Sequence, residues 1–204
     1  MLRLGLTGGI ASGKSAVAVM LRDLHFPVLA ADALSHQLME PGQPAYDEIL
    51  KEFGSTIVDA PRTPIDRAKL AAIVFSDSAK LARLNAILHP RVETKMLQQF
   101  DEWKESGMYD VAFVEAALLV EAGFDRKLDG LVVVWCTPEQ QLQRLLARGI
   151  SELDARHRLA AQLPVEEKLK RATYTIDCSR TVSETEAQVQ ALAARLHNTP
   201  RNSS

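Results

Sequence analysis

The sequence predicts an α/β fold: a three-layer arrangement around a mostly parallel five-stranded sheet, with a helical insertion and a helical lid. Three observations carry that expectation. A Gly-rich loop, Gly8-Gly9-Ile10-Ala11-Ser12-Gly13-Lys14-Ser15, stands between a short apolar run and an amphipathic helix. Its spacing fits G-x-x-x-x-G-K-[ST], the phosphate-cradling P-loop. Apolar runs of strand length then alternate with helical periodicity, the pattern of right-handed crossovers and parallel pairing. Finally, the stretch from 34 to 107 is helical almost throughout, which is more chain than a simple crossover needs.

Leu2-Arg3-Leu4-Gly5-Leu6-Thr7 reads as the first, buried strand. The glycines after it let the backbone curl, so that successive N–H groups converge on an anion. Lys14 can reach the β- and γ-phosphates of a nucleotide, and the Ser15 hydroxyl can sit on a Mg²⁺ that bridges them. Ala16, Val17, Met20, Leu21 and Leu24 recur at helical spacing, so the loop opens a helix whose N-terminus adds positive potential. Residues 8 to 16 are therefore the expected nucleotide triphosphate site.

Phe26 to Ala31 reads as the second strand, ending at Asp32. Ligands of parallel sheets sit at the carboxyl ends of the strands. Asp32 is thus a candidate for catalysis, and equally a good N-cap for a helix beginning at Ala33. In the insertion, Tyr46, Ile49, Leu50 and Phe53 form one helical face, and Arg67, Leu70, Ile73 and Val74 begin another. A helix from Ser78 carries Leu81, Leu84, Ile87 and Leu88 inward and is expected to stop at His89-Pro90. Val92, Met96, Phe100 and Trp103 carry the next. Arg67 and His89 by themselves read as a solvated charge and a helix-end residue.

Val111 to Val114 is the third strand, ending at Glu115, where P-loop enzymes commonly hold Mg²⁺ or its waters. Glu121 reads either as a second such acid or as a surface charge. Leu131 to Cys136 is the fourth strand, continuous and β-branched as central parallel strands are. Thr137-Pro138-Glu139-Gln140 predicts a capped helix start. Arg144 and Arg148 lie one turn apart on its polar face. Tyr174 to Asp177 is a short fifth strand, and Ser183 with Glu186 is the expected capping box of a terminal helix bearing Val189, Leu192 and Leu196. From His197 onward the chain is polar and expected to fray.

The net charge of −2, with 47% hydrophobic and 25% charged residues, describes an ordinary globular chain. It gives no electrostatic case for nucleic-acid binding. Cys136 and Cys178 are too few for a disulfide framework or a zinc site and read as buried thiols. With the first strand at Leu2 there is no room for a targeting peptide, and no apolar run suits a bilayer span. A cytoplasmic protein without a membrane partner is the expectation.

Leu6 to Ser15, Asp32, Arg67 with Leu70 and Phe75, Leu84-Asn85 with Leu88-His89-Pro90, Leu118-Leu119-Val120-Glu121, Arg144, Arg148 and Gln162 together resemble the dephospho-CoA kinase family. The resemblance runs from Leu4 to the terminal helix. It implies a nucleoside-monophosphate-kinase-like fold, with core segments at about 1–33, 108–137 and 172–198. The insertion at about 34–107 then binds the acceptor, and 138–171 is the lid. It implies transfer of the ATP γ-phosphate to the 3′-hydroxyl of dephospho-CoA, the final step of coenzyme A synthesis, with Mg²⁺ as cofactor. ATP would lie on Gly8, Gly9, Ile10, Ala11, Ser12, Gly13, Lys14, Ser15 and Ala16, with Ser15 on the metal. Asp32 would be the general base, Lys14, Arg144 and Arg148 would stabilise the transferring phosphoryl group, and Arg67, His89, Leu118 and Gln162 would hold dephospho-CoA.

Three departures from the family pattern stand out. Ala30-Ala31-Asp32 replaces Asp-Ala-Asp, Ala11 replaces a loop glycine, and Glu115-Ala116-Ala117-Leu118-Leu119 replaces Asp-x-Pro-Leu-Leu. The segment 172–180 also differs from the family's usual Ala-Asp-x-x-Ile-x-Asn-x-Gly. Two rivals remain on sequence grounds: an ATP-binding regulator without turnover, and a kinase of another small hydroxyl or nucleotide acceptor.

Overall fold

Short apolar runs separated by capped helices fold here as the pattern requires. The structure, a computed structural model, describes residues 1–198. Five strands, β1 (Leu2–Gly8), β2 (Val28–Ala30), β3 (Val111–Glu115), β4 (Gly130–Trp135) and β5 (Tyr174–Asp177), form one sheet in the order β2-β3-β1-β4-β5. β1 pairs in parallel with β3 and β4, and β4 with β5, in the register Leu6↔Glu115, Gly8↔Val134 and Trp135↔Asp177. The register brings the carboxyl ends of β1, β3, β4 and β5 to one edge, where the loop after β1 begins.

The chain divides into two compact units: Met1–Leu29 with the chain from Phe100 on, and Ala30–Gln99. In the first, Leu4, Leu6, Phe113, Val132, Val134 and Ile176 of the sheet pack with α1 (Lys14–Asp23) and α9 (Val182–His197) through Val17, Leu21, Val189 and Leu192. Each such side chain removes enough apolar surface to contribute about 2 kcal/mol before chain entropy is set against it. This unit also holds α6 (Pro138–Ala147), α7 (Glu152–Ala160) and α8 (Val165–Leu169). Thr137 and Gln140 make the expected capping box of α6.

The second unit contains α2 (Ala31–Leu38), α3 (Pro44–Phe53), α4 (Arg67–Phe75) and most of α5 (Ser78–Ser106), which continues into the first. Tyr46 and Ile49 of α3, Leu70 and Val74 of α4, and Leu84, Ile87, Leu88 and Val92 of α5 are among its buried apolar residues. The Tyr46 hydroxyl donates to the Thr63 carbonyl at 2.7 Å and ties down the Pro/Thr-rich loop before α4.

Four boundaries differ from the sequence reading. β2 is only Val28–Ala30, because His25 takes a left-handed φ of 64° and turns the chain before Phe26-Pro27. α2 then starts at Ala31, so Asp32 lies inside the first turn and caps nothing. α5 does not stop at His89-Pro90 but runs through it. Proline leaves the Ala86 carbonyl without its helical donor. The next carbonyl, Ile87, gains a side-chain donor from Arg91 at 2.6 Å, and burial on both sides of Pro90 holds the helix together. The terminal helix is capped two residues earlier than expected, by Thr181 and Glu184, since both Thr181-x-x-Glu184 and Ser183-x-x-Glu186 fit the box and the first available turn takes it. His197 does not fray: it ends α9 with its ring stacked on Phe26, centroids 5.1 Å apart. Residues 199–204, the rest of the expected frayed end, lie outside the described residues.

Candidate active site

The loop after β1 is fixed by backbone crowding first. A Cβ at Gly8 would lie 2.2 Å from the Val134 carbonyl oxygen, so no other residue fits against β4 there. Gly13 caps α1 with φ 107°, a conformation that L-residues avoid. Ala11 also sits at positive φ, 59°, although the general motif leaves its position open. The departure from the loop glycine therefore carries strain of about 1–2 kcal/mol, the usual cost of a left-handed L-residue.

The loop's N–H groups divide in a way the sequence does not reveal. Ser12 N–H donates to the Gly9 carbonyl at 3.1 Å, and Ile10 N–H to Gln162 Oε1 at 2.7 Å. Those of Ala11, Gly13, Lys14 and Ser15 have no partner among the described residues and are free to receive phosphate oxygens.

Three charged and polar side chains converge beside the loop. Lys14 Nζ lies 2.6 Å from Glu115 Oε1, and Ser15 Oγ donates to the same oxygen at 3.2 Å. Arg22 approaches the other carboxylate oxygen at 3.8 Å. Glu115 is 8% exposed, so its charge is compensated rather than solvated. Of the two acids left open by sequence, Glu115 is the one at the loop. Glu121 is exposed as a residue, and its carboxylate pairs with Lys168 at 2.9 Å and accepts the Leu163 N–H at 3.1 Å.

The two arginines of α6 part company. Arg144 donates to the carbonyls of Ala11 (3.1 Å), Ser12 (3.2 Å) and Cys178 (2.7 Å), so its guanidinium holds the loop's backbone. Arg148, at the end of α6, is exposed and its side chain has no partner among the described residues. From the same helix, Gln141 Nε2 donates to the Ile10 carbonyl at 2.8 Å. The peptides around Ile10 are thus gripped by two glutamines, one on each side. Cys136 and Cys178 are free and buried, and burial pushes both thiols above their ordinary range. They pack against the loop without reactive character: a Cβ at Gly13 would meet Cys178 Sγ at 3.0 Å.

In the helical unit, Asp32 is exposed, and its carboxylate has no hydrogen-bond partner among the described residues. Asp66 caps α4 by accepting the N–H groups of Ala68 and Lys69, which holds its carboxyl below the ordinary range. That cap aims Arg67 into a pocket of about 330 Å³ lined by His36, Met39, Glu40, Pro64, Ile65 and Arg67. One guanidinium nitrogen lies 3.0 Å from His36 Nδ1 and 3.2 Å from Nε2, so it rests against the ring rather than on one lone pair. His89 is on α5, partly desolvated, and desolvation lowers its pKa. Leu118 is exposed in the turn after β3. Gln162, expected among the acceptor contacts, accepts the Ile10 N–H of the loop with its side-chain oxygen.

His36, Gln141, Gln162's loop contact and Lys168 were not legible as a site in sequence. Each acts through a distant partner, and only the pattern of a buried lysine among lid charges could have hinted at one of them.

A parallel sheet with a glycine loop, lysine, hydroxyl and carboxylate at its carboxyl edge defines a P-loop nucleotide-binding protein. Solved structures agree on the fold: TT1252 from Thermus thermophilus superposes with a TM-score of 0.83 at 32% identity over 98% of both chains. Dephospho-CoA kinase from Campylobacter jejuni gives 0.72 at 26% identity over 95% of this chain and 96% of that one. The family model for dephospho-CoA kinase matches residues 2–184. The dephospho-CoA kinase of Corynebacterium glutamicum is 42% identical over 197 residues, 96% of this chain and 98% of that protein. The chain belongs to the dephospho-CoA kinase family, phosphotransferases with an alcohol group as acceptor, and its activity is that of the family.

Proposed function

We propose that the chain transfers the γ-phosphate of ATP to the 3′-hydroxyl of dephospho-CoA, giving coenzyme A and ADP, by the following division of labour. The convergence of Lys14 and Ser15 on Glu115, next to four unpartnered loop N–H groups, is the observation that carries the reading. The N–H groups of Ala11, Gly13, Lys14 and Ser15 cradle the phosphates, and Lys14 exchanges the Glu115 carboxylate for phosphate oxygens.

The residues present suit Mg²⁺: a hydroxyl and a carboxylate, both hard oxygen donors, lie 3.2 Å apart at Ser15 and Glu115. When bound, the ion supplies charge neutralisation on the phosphate oxygens. Ser15 would hold the ion directly, and Glu115 would hold the ion or its waters.

Asp32 accepts the proton of the attacking ribose hydroxyl, a task that suits a carboxylate with no competing donor. Arg148, the free arginine of the pair, meets charge on the transferring group, while Arg144 keeps the loop in shape. The segment 138–171 acts as lid and keeps water from the phosphoryl group. In the helical unit, Arg67 and His36 receive the anionic part of the acceptor, with His89 in a supporting contact; Leu118, in the turn after β3 of the sheet unit, supplies apolar surface.

The test is a coupled assay of ADP release with Mg-ATP and dephospho-CoA, against adenosine, AMP and no acceptor. ADP formation that depends on dephospho-CoA and yields coenzyme A supports the reading. ATP binding without acceptor-dependent turnover would point to a regulator, and turnover on another acceptor would overturn the assignment of the helical unit.

A further inference from the structure

Lys168 is a fully buried charged side chain that the reaction above does not use. An ammonium is taken out of water only where geometry compensates it. Its Nζ donates to the Ala117 carbonyl at 2.7 Å and pairs with Glu121 at 2.9 Å. Ala117's carbonyl also accepts from Thr7 Oγ1 at 3.2 Å, and Thr7 is the buried residue just before the glycine loop. On the other side, the Glu121 oxygen that meets Lys168 also accepts the Leu163 N–H. Leu163 follows Gln162, whose oxygen accepts the Ile10 N–H. The contacts close a ring: Thr7, Ala117, Lys168, Glu121, Leu163, Gln162 and back to the loop at Ile10.

We propose that Lys168, acting through Glu121, is a positioning residue that holds Gln162 on the nucleotide loop and so preorganises the loop for ATP. Gln162 occupies the Ile10 N–H, while those of Ala11, Gly13, Lys14 and Ser15 have no partner among the described residues. A loop that must find this shape on binding pays the ordering cost out of its affinity. The inference rests on reading the loop as the ATP site, but not on the identity of the acceptor.

The experiment is ATP binding by isothermal titration calorimetry on the full-length protein, well below its melting transition. Wild type is compared with Lys168→Met, Glu121→Leu, Glu121→Gln and Gln162→Ala, with thermal unfolding measured alongside. Lys168→Met and Glu121→Leu are expected to weaken ATP by about tenfold, the equivalent of one well-made hydrogen bond. Glu121→Gln keeps an oxygen for Leu163 N–H and should lose less than about threefold by the same reasoning. Gln162→Ala should lose affinity like Lys168→Met while melting near wild type, which a merely structural pair does not predict. Should Lys168→Met fail to fold, Glu121→Leu decides. Folded variants that bind ATP within twofold of wild type would overturn the proposal. Failure of wild type itself to bind ATP would instead refute the loop's assignment.

Discussion

Replacing Arg144 by alanine removes three donors from the nucleotide loop's surroundings at once. The guanidinium bonds to the carbonyls of Ala11, Ser12 and Cys178 at 3.1, 3.2 and 2.7 Å. Hydrogen bonds from charged groups contribute about 1.5–3 kcal/mol each where buried. Arg144 is half-exposed, so water recovers part of that, and about 1 kcal/mol per bond, or about 3 kcal/mol in all, is the reasonable total. In a chain of this size that lowers Tm by about 6–12 °C. Because Ala11 and Ser12 are loop residues, the same loss should appear as weaker ATP binding. Arg144→Lys separates charge from geometry: an ammonium keeps the charge but presents its donors from a single nitrogen, where the guanidinium reaches the three carbonyls from two, so it should recover only part of the Tm loss. Thermal unfolding and ATP titration on wild type, Arg144→Ala and Arg144→Lys measure all of this. Unchanged Tm and ATP affinity with a large fall in kcat would refute the reasoning. Arg144 would then leave the carbonyls and act on the phosphoryl group, the role a lid arginine suggests from sequence.

Three other outcomes follow from the same geometry. Ala11→Gly relieves a left-handed alanine at φ 59°. The relief of about 1–2 kcal/mol stands against the extra chain entropy of glycine, about 0.4–1 kcal/mol, so denaturant titration should show a gain of up to about 1.6 kcal/mol. Asp32→Asn should lower kcat by about a hundredfold or more with ATP affinity unchanged, and equal turnover would remove the general-base role. His89 is held below the ordinary histidine range by desolvation. Its folded state therefore binds fewer protons than its unfolded state, so its contribution is intact above the unfolded pKa and is lost as pH falls from there toward the folded value. Wild type should lose more stability than His89→Gln between pH 7 and 5, and parallel pH profiles would discard that account.

How far the sequence reaches depends on whether a feature is local. The loop spacing, the strand–loop–helix setting and the box of Thr137 with Gln140 all hold in the structure, because each is made within one stretch of backbone. The apolar runs likewise sufficed for the sheet, since Val132, Val133 and Val134 can only be buried on both faces. Pro90 misled for a local reason of its own: burial of Ile87, Leu88 and Val92 outweighs one missing helical bond.

The partners of charged groups were a different matter. By sequence alone Glu115 stood at the strand end where such enzymes hold Mg²⁺, Glu121 was open between a second such acid and a surface charge, and Arg144 and Arg148 were one pair. Tertiary structure gave Glu115 to Lys14, Glu121 to Lys168 and Arg144 to the loop's own carbonyls, across separations of 101, 47 and 133 residues. A charge's role is set by what burial leaves within reach of it, and no spacing along the chain encodes that. The sequence determined which groups could meet a nucleotide; the fold decided which of them are free to do so.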